Sequence, residues 1–184
     1  MRIVGGEWAG QRLTSPSGRV RPTSEELRER CMDLLGADLE DASVLDLFAG
    51  TGALGLEALS RGAARADFVE NHPSALHALK ANVAVVRARD RIRVFKKDAV
   101  PFLDALKEGA YDVALADPPY GSALAERVVD RWLEVPFAAI LIVEHATDRP
   151  LAGRPRTYPA GDSSLSVFRV DGRRREVARP TRRP

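Results

Sequence analysis

Residues 44–55 read Val-Leu-Asp-Leu-Phe-Ala-Gly-Thr-Gly-Ala-Leu-Gly, and this stretch decides the fold. Its apolar beginning predicts a buried strand that stops at a cluster of glycines, and a helical pattern of leucines and alanines follows at once. Gly50, Gly52 and Gly55 have the spacing G-x-G-x-x-G, which permits a tight turn and close approach of a ligand to the backbone. The start of the helix then offers free N–H groups to an anionic group. Because short glycine-rich turns are common, a second site has to decide which ligand this turn holds.

The composition is that of one globular domain. The 184 residues are 45% hydrophobic and 29% charged, without an apolar segment of the length that a transmembrane helix needs. The N-terminus lacks the apolar region of a secretory signal, so we expect a cytoplasmic protein that does not bind membranes. The single cysteine, Cys31, cannot form an internal disulfide, and the helical pattern around it predicts a place in the core. With only three histidines beside that one thiol, we expect no metal site.

Positive charge is concentrated at the two ends of the chain. Residues 1–22 carry four arginines against one acid, and residues 171–184 carry six arginines against two acids. Since the whole chain has a net charge of +2, the residues between these ends carry −5. An acidic body with basic ends predicts a polyanion that contacts the flanks. For residues 171–184, a merely solvated tail is an equally good interpretation.

Residues 1–22 predict a small basic hairpin or arm. Two short extended pieces, residues 1–4 and 11–14, are separated by turn residues. Arginines beside an aromatic side chain suit a phosphate backbone and a stacked base. The candidate residues for nucleic-acid binding are Arg2, Trp8, Arg12, Arg19, Arg21 and Thr23. Trp8 can equally anchor the arm to the body, and the two interpretations are compatible. Thr23 or Ser24 then caps the first helix.

Patterns of strand and helix alternate after the arm. Beyond the strand that begins at residue 44, predicted strands cover residues 66–70, 92–95, 111–116 and 138–144, and a late antiparallel strand covers 165–170 with a partner near 154–158. Predicted helices cover residues 25–35, 54–60, 73–86, 100–107 and 123–133. This alternation predicts an α/β, Rossmann-like fold with a doubly wound, mostly parallel sheet. We divide the chain into the arm (1–22), this domain (23–170) and a basic disordered tail (171–184).

Acidic residues follow successive strands of the predicted sheet. Asp46 is close to the end of the first strand, Glu70 ends the second, 20 residues after Gly50, and Asp98 follows the third. In such sheets ligands bind at the carboxyl ends of the strands, and a carboxylate at the position of Glu70 accepts both hydroxyl groups of a ribose. Asp98 is placed to accept from the exocyclic amine of adenine. One such acid is usually only solvated, but three at one edge predict a nucleoside site.

Asp117-Pro118-Pro119-Tyr120 is the most specific stretch of the chain. The prolines carry no N–H group, which leaves the Asp117 carboxylate and the Pro118 carbonyl as acceptors, and the ring of Tyr120 for stacking. This set suits a planar base whose exocyclic amine donates two hydrogen bonds. Attack of that amine on an electrophilic methyl group needs positioning more than a strong base. We therefore assign Asp117, Pro118, Pro119 and Tyr120 to the catalytic site.

The order of these motifs resembles a class I S-adenosylmethionine-dependent methyltransferase that acts on an exocyclic amine. Three further segments narrow the resemblance: Met-Arg-Ile-Val-Gly-Gly at residues 1–6, Arg-Pro-Thr at 21–23 with Arg28-Glu29, and Gly-Leu-Glu-Ala-Leu-Ser-Arg-Gly at 55–62. They are similar to the RsmD family, which methylates N2 of a guanine in the 16S RNA of the bacterial small ribosomal subunit. The resemblance covers roughly residues 1–170.

This resemblance implies a seven-stranded sheet, an N-terminal hairpin that helps to grip RNA, and S-adenosyl-L-methionine as cofactor. Its substrate would be 16S ribosomal RNA, within a partly assembled small subunit. Carried over by position, the cofactor-binding residues are Asp46, Phe48, Gly50, Gly52, Glu70, Asn71, Asp98, Ala99 and Asp117. In that assignment Asp46 and the glycines line the methionine end, Glu70 takes the ribose, and Asp98 with Ala99 approaches the adenine. Cys31-Met32-Asp33 departs from the aromatic–Asn pair usual in the family, and the arginine-rich tail lies outside the shared pattern.

Other functions use some of the same motifs. An adenine-N6 methyltransferase of DNA or RNA also uses Asp-Pro-Pro-Tyr, because both bases offer an exocyclic amine. A dinucleotide-dependent oxidoreductase accounts for the glycines and Glu70 but assigns no purpose to residues 117–120. A module that only binds nucleic acid needs no cofactor crevice, and an enzyme for a free small amine needs no basic ends. We expect a monomer, because no apolar helix face is left uncovered.

Overall fold

A seven-stranded sheet forms the centre of the computed structural model, which describes residues 1–15 and 24–170. Its strands are β1 (Ser43–Leu47), β2 (Arg65–Glu70), β3 (Ile92–Lys96), β4 (Tyr111–Ala116), β5 (Ala138–Ala146), β6 (Arg156–Ala160) and β7 (Ser163–Arg169). The strand order is β3-β2-β1-β4-β5-β7-β6. β1 to β5 pair in parallel, whereas β7 pairs antiparallel with both β5 and β6. The predicted α/β, mostly parallel sheet is confirmed.

Five α-helices of the described residues cover the sheet on both faces. They are α1 (Glu25–Leu35), α2 (Ala53–Ser60), α3 (Pro73–Val86), α4 (Ala99–Asp104) and α5 (Leu124–Glu134), with 3₁₀ turns at Gly36–Leu39 and Arg89–Arg91. One apolar cluster joins α1, α2 and α3 to one face, and a second joins α4 and α5 to the other. β1 is buried along its whole length between the two clusters, as expected for a central strand of a parallel sheet.

The boundaries lie within two residues of the predicted ones, except at the end of α4. α4 begins at Ala99 and ends at Asp104, three residues before the predicted end. It ends early because the guanidinium of Arg131 in α5 donates to the carbonyls of Asp104 (3.2 Å) and Leu106 (3.0 Å), which no longer bond along a helix. The edge strand β6 lies two residues later than predicted and contains Pro159, which an edge strand tolerates.

Helix α1 begins and packs as the sequence predicts. The hydroxyl of Ser24 accepts the N–H of Leu27 (3.1 Å), so Ser24 is the N-cap. Cys31 is 2% exposed in the core, and burial raises the pKa of its thiol. Cys31 is therefore a packing residue and not a nucleophile.

The described part of the arm, residues 1–15, folds as a short antiparallel pair. Arg2 and Arg12 form a bridge, and the N–H of Leu13 donates to the carbonyl of Met1 (3.0 Å). Ile3 and Leu13 point into the core beside α1 and α2, with 0% and 6% exposure. This part of the arm is therefore packed on the domain, as part of its core.

The order of the strands reverses next to β1. The chain passes from β1 outward to β2 and β3, and then returns to β4 on the other side of β1. At such a point the loops that follow β1 and β4 diverge and leave a crevice at the carboxyl edge of the sheet. Among residues 1–15 and 24–170, none of the helices combines the length and apolar character of a membrane-spanning helix.

Candidate active site

The turn after β1 has the backbone that the glycine pattern predicts. Gly50 and Gly52 have φ of 55° and 78°, in the left-handed region that glycine enters without strain. A Cβ at Gly52 would collide with Leu79, whereas a Cβ at Gly50 would meet nothing within 4 Å. Gly52 thus lets helix α2 pack closely, and Gly50 faces open space at the carboxyl edge, where a ligand can approach the backbone.

Phe48 is a strained residue in the same turn. Its φ of 68° lies in the left-handed region, which is rare for a bulky side chain and marks a backbone held by its surroundings. The ring is half-buried and packs on the cluster below α4 and α5. Packing of the ring therefore supports the strained backbone at Phe48.

Asp46 does not line the crevice in the expected way. Its side chain is 1% exposed, and Oδ2 accepts the N–H of Gly55 in the first turn of α2 (2.9 Å). Burial raises the pKa of Asp46 well above its usual range, the Gly55 N–H opposes this, and Asp117 and Glu70 raise the pKa further. The observed contact of Asp46 is thus with the start of helix α2, because strand β1 is buried on both faces.

Glu70 is bound to the glycine turn. Oε2 accepts the N–H of Gly50 (2.7 Å), and Oε1 accepts the N–H groups of Asn71 (2.8 Å) and His72 (2.7 Å). The carboxylate is half-buried at the end of β2. It therefore joins the ends of β1 and β2.

Asp98 forms the N-cap of helix α4. Oδ1 accepts the N–H of Val100 (2.9 Å), and Oδ2 accepts from Nδ2 of Asn71 (3.4 Å). Asp98 and Asn71 are exposed, whereas Ala99 is 8% exposed. The three residues stand together beyond the ends of β2 and β3.

Residues 117–120 line a cleft at the end of β4. Its walls also include Gly121, Ser122, Ala125, Glu126, Glu144, His145, Ala146 and Arg149. Asp117 is half-buried, so its carboxyl group is not sealed inside the core. The strand register sets Leu47 of β1 beside Ala116 of β4 and beside Val69 of β2. The next residues along these three neighbouring strands are Phe48, Glu70 and Asp117, which therefore lie next to one another at the carboxyl edge of the sheet.

The loop that carries Tyr120 is held at several points. The Tyr120 hydroxyl donates to the carbonyl of Asp162 in the β6–β7 turn (2.8 Å), while the ring stays largely open, with the residue 57% exposed. The Ser122 hydroxyl donates to the carbonyl of Pro119 (2.6 Å), and Arg149 donates to the carbonyl of Ser122 (3.1 Å). The ring of Tyr120 is thus held by its loop at the wall of the cleft.

The candidate nucleic-acid residues are spread over the arm. Arg2 and Arg12 are exposed, and Arg2 pairs with Glu25 (3.2 Å). Trp8 is half-buried, and the guanidinium of Arg91 lies 5.6 Å from its ring centroid. The backbone N–H of Trp8 donates to the hydroxyl of Ser60 at the far end of α2 (2.9 Å). This position is about 10 Å along the helix from the glycine turn. Trp8 therefore makes the anchoring contact, and its stacking on a base stays a prediction.

Arg19, Arg21 and Thr23 lie outside the described residues, as do residues 171–184. Their contacts with nucleic acid, and the disorder of the tail, therefore stay predictions from the sequence. Across the described ranges, no three His, Cys, Asp or Glu side chains come together as a set of metal ligands.

Comparison with known proteins identifies the family. The family model described as conserved hypothetical protein 95 matches residues 1–160. Ribosomal RNA small subunit methyltransferase D of Escherichia coli K12 is 40% identical over 164 residues, which cover 86% of this chain and 81% of that protein. The chain belongs to the RsmD family. The protein of the same name from Haemophilus influenzae is 31% identical over 159 residues, 82% of this chain and 81% of that protein.

The fold agrees with solved structures. The yhhF protein of Escherichia coli, 34% identical, superposes with a TM-score of 0.80 and covers 92% of this chain and 97% of its own. The class I methyltransferase architecture expected from the RsmD resemblance is thus confirmed. The departure at residues 31–33 is accommodated within it: Met32 is 1% exposed in the core, and Asp33 pairs with Arg61 on the surface (3.4 Å).

Sequence reasoning missed the far wall of the cleft. Glu144, His145 and Arg149 come from the end of β5 and the segment after it. The Nδ1 of His145 lies 2.9 Å from the carbonyl of Ala146, and Arg149 pairs with Glu126 (2.7 Å). The rule that ligands bind at the carboxyl ends of strands would have found these residues, had it been applied to β5 as well as to β1–β4.

Proposed function

We propose that this protein transfers a methyl group from S-adenosyl-L-methionine to N2 of a guanine in the 16S RNA of the small ribosomal subunit. One observation carries the proposal: the acceptor-rich cleft at Asp117 adjoins the glycine turn and Glu70, on the neighbouring strands of one sheet edge. Membership of the RsmD family, whose relatives are named for small-subunit ribosomal RNA, supports the same reaction.

The cofactor site is formed by the ends of β1, β2 and β3. The open space at Gly50 fits a ligand that lies against the backbone, and Glu70 offers carboxylate oxygens there for ribose hydroxyls. Asn71, Asp98 and Ala99 form the side for the adenine, with Phe48 and Gly52 shaping the turn. S-adenosylmethionine supplies an electrophilic methyl group when it is bound.

We assign Asp46 a structural role beneath the cofactor site. Because its carboxyl group is buried and bonded to Gly55, we assign it the role of holding helix α2 against β1, which fixes the position of the glycines. Its pKa, raised by burial, keeps the Asp46 carboxyl protonated at pH values where an exposed aspartate is charged.

Asp117 and Tyr120 orient the target base. The Asp117 carboxylate and the Pro118 carbonyl accept the two N–H groups of the amine, and the ring of Tyr120, whose hydroxyl is bonded to the carbonyl of Asp162, stacks on the base. Holding the amine directs its lone pair, so the residues act by positioning. The amine proton leaves afterwards to the carboxylate or to water.

The arm and its arginines provide contacts for the RNA. Arg2 and Arg12 are exposed and lie opposite each other in the arm, where they can meet phosphates. We propose a monomer that acts in the cytoplasm on a partly assembled subunit, in which the target base can be splayed out of its stack.

Mass mapping of modified nucleosides in 16S ribosomal RNA, from cells with and without this protein, tests the proposal. We expect one N2-methylguanosine to disappear in cells without the protein. It should return with the wild-type protein and with Asp130→Asn, an exposed acid on α5, but not with Asp117→Ala. Loss of an N6-methyladenosine instead would transfer the reaction to adenine, and an unchanged pattern would refute the proposed function.

A further inference from the structure

Asn82 of helix α3 is a fully buried amide whose side chain leaves its own helix to bond elsewhere. It is 0% exposed, between apolar residues of α3 such as Leu79 and Val83. Oδ1 accepts the N–H of Thr14 (2.7 Å), and Nδ2 donates to the carbonyls of Thr14 (3.1 Å) and Thr51 (2.9 Å). Burying an amide is costly unless its hydrogen bonds are satisfied, so these three bonds account for its presence.

The two partners of Asn82 belong to different parts of the proposed machinery. Thr51 lies between Gly50 and Gly52, in the turn assigned to the cofactor. Thr14 lies near the end of the described part of the arm, two residues after Arg12. Asn82 therefore bonds to the backbone of the RNA-contacting arm and to the backbone of the cofactor turn at the same time.

The Thr51 hydroxyl also lies 4.0 Å from Sδ of Met1, and two side chains further along α2 hold the arm as well. Glu57 accepts the N–H groups of Val4 (2.9 Å) and Gly5 (2.7 Å). Ser60 accepts the N–H of Trp8 and donates to the carbonyl of Gly5 (2.6 Å). Neither side chain bonds to residues 50–52, so these contacts hold the arm on the domain without reaching the turn.

We propose that Asn82 is a positioning residue that couples the binding of RNA to the binding of the cofactor. This inference rests on the proposed function. A ligand that orders the Thr51 carbonyl also orders Asn82, and with it the backbone of Thr14 in the arm. The second ligand then meets a segment that is already ordered, which makes binding cooperative in both directions.

The experiment measures the dissociation constant of S-adenosylhomocysteine by calorimetry, alone and with saturating small subunits from cells that lack this protein. The wild type should bind S-adenosylhomocysteine about 5-fold more tightly, or better, with the subunits present. Asn82→Ala should bring this ratio close to one. Ser60→Ala is the matched control, because it removes two hydrogen bonds of the arm but none of the turn, and it should keep the wild-type ratio.

The outcomes separate this inference from the proposed function. A wild type that binds neither S-adenosylhomocysteine nor the subunit contradicts the proposed function itself. A wild type that binds both without cooperativity, or an Asn82→Ala variant that keeps the full ratio, overturns the coupling alone. The coupling is also overturned if Ser60→Ala loses the ratio as completely as Asn82→Ala.

Hydrogen exchange in the wild-type protein keeps the inference testable if Asn82→Ala does not fold. The amide of Thr14 donates to Asn82, whereas the amide of Gly5 donates to Glu57. S-adenosylhomocysteine should slow exchange at Thr14 more than at Gly5. Equal effects at both amides, or none at Thr14, would overturn the coupling.

Discussion

The two loops that border the crevice have opposite hydrogen-bonding character. The turn after β1 contains two glycines, of which Gly50 faces open space, and the N–H of Gly50 is bonded to Glu70. The loop after β4 contains two prolines in succession, which offer no N–H group, so acceptors remain. One side of the edge thus suits a ligand that rests on a tight backbone turn, and the other suits an amine. The difference explains how one sheet edge can bring two unlike reactants together.

The acids of the two loops differ in burial in the same way. Asp46 is 1% exposed and bonds to the backbone of α2, whereas Asp117 is half-buried in an open cleft. They belong to neighbouring strands and share the same edge. Residue type and strand-end position are therefore not enough to assign a role, since burial separates a packing acid from one that can meet a substrate.

The largest expected effect comes from removing the acid of the loop after β4. Asp117→Ala should lower the single-turnover rate of methyl transfer by about 100-fold or more, because the amine loses its orientation. The dissociation constant of S-adenosylhomocysteine should stay within a factor of about two, since the ribose and methionine contacts lie on other strands. Rapid-quench transfer to subunits and calorimetry measure the two quantities. A near wild-type rate would remove Asp117 from the positioning role.

The next largest effect comes from replacing Glu70, which joins the ends of β1 and β2. Glu70→Gln should weaken S-adenosylhomocysteine binding by about 10-fold, because one ribose acceptor is replaced by a donor that also faces the N–H of Gly50. Transfer at saturating cofactor should fall far less than in Asp117→Ala. Calorimetry measures the affinity, with the exposed Glu108→Gln as the control. Equal affinities for Glu70→Gln and the control would refute the ribose contact.

A smaller effect concerns the pH dependence of stability that the buried Asp46 causes. The raised pKa of Asp46 means that the folded chain keeps a proton that the unfolded chain releases above about pH 4. The free energy of unfolding therefore falls as the pH rises from about 4 through the folded pKa of Asp46. Asp46→Asn, which stays neutral, should lack this fall.

Urea unfolding at a series of pH values checks the prediction for Asp46. The second variant is Asp117→Asn. Its curve should keep the fall because Asp46 is intact, but the fall should end at a lower pH, since Asp117 is one of the charges that raise the pKa of Asp46. If Asp46→Asn shows the same fall with pH as the wild type, another group carries the dependence.

The smallest effect concerns the arm. Arg12→Gln should weaken binding of 16S ribosomal RNA by a few-fold and lower the slope of log affinity against log salt by about one, as expected for one phosphate contact. Arg154→Gln, an exposed arginine before β6, serves as the control. Filter binding over a salt series measures both slopes. An unchanged slope for Arg12→Gln would show that this side chain does not meet phosphate.

Local patterns were sufficient to predict much of the fold and several residues at the carboxyl edge of the sheet. The alternation of strands and helices follows from periods of apolar residues, and Gly50, Glu70 and Asp117 could be placed at one edge because parallel strands share their direction. The end of α4 could not be predicted, since it depends on Arg131, which is 25 residues away from Leu106 in sequence. The wall at Arg149 was missed because the strand-end rule was not extended to β5.

The class of fold, the glycine turn and the acid–proline loop could be read from local residue patterns, because each depends on residues that are adjacent in the chain. Three features required the folded structure: the burial of Asp46 against α2, the place of Trp8 at the far end of that helix, and the bonds of Asn82 to residues 68 and 31 positions away. Burial and hydrogen bonds between distant segments arise from packing of the whole chain, and no local pattern of residue types specifies them.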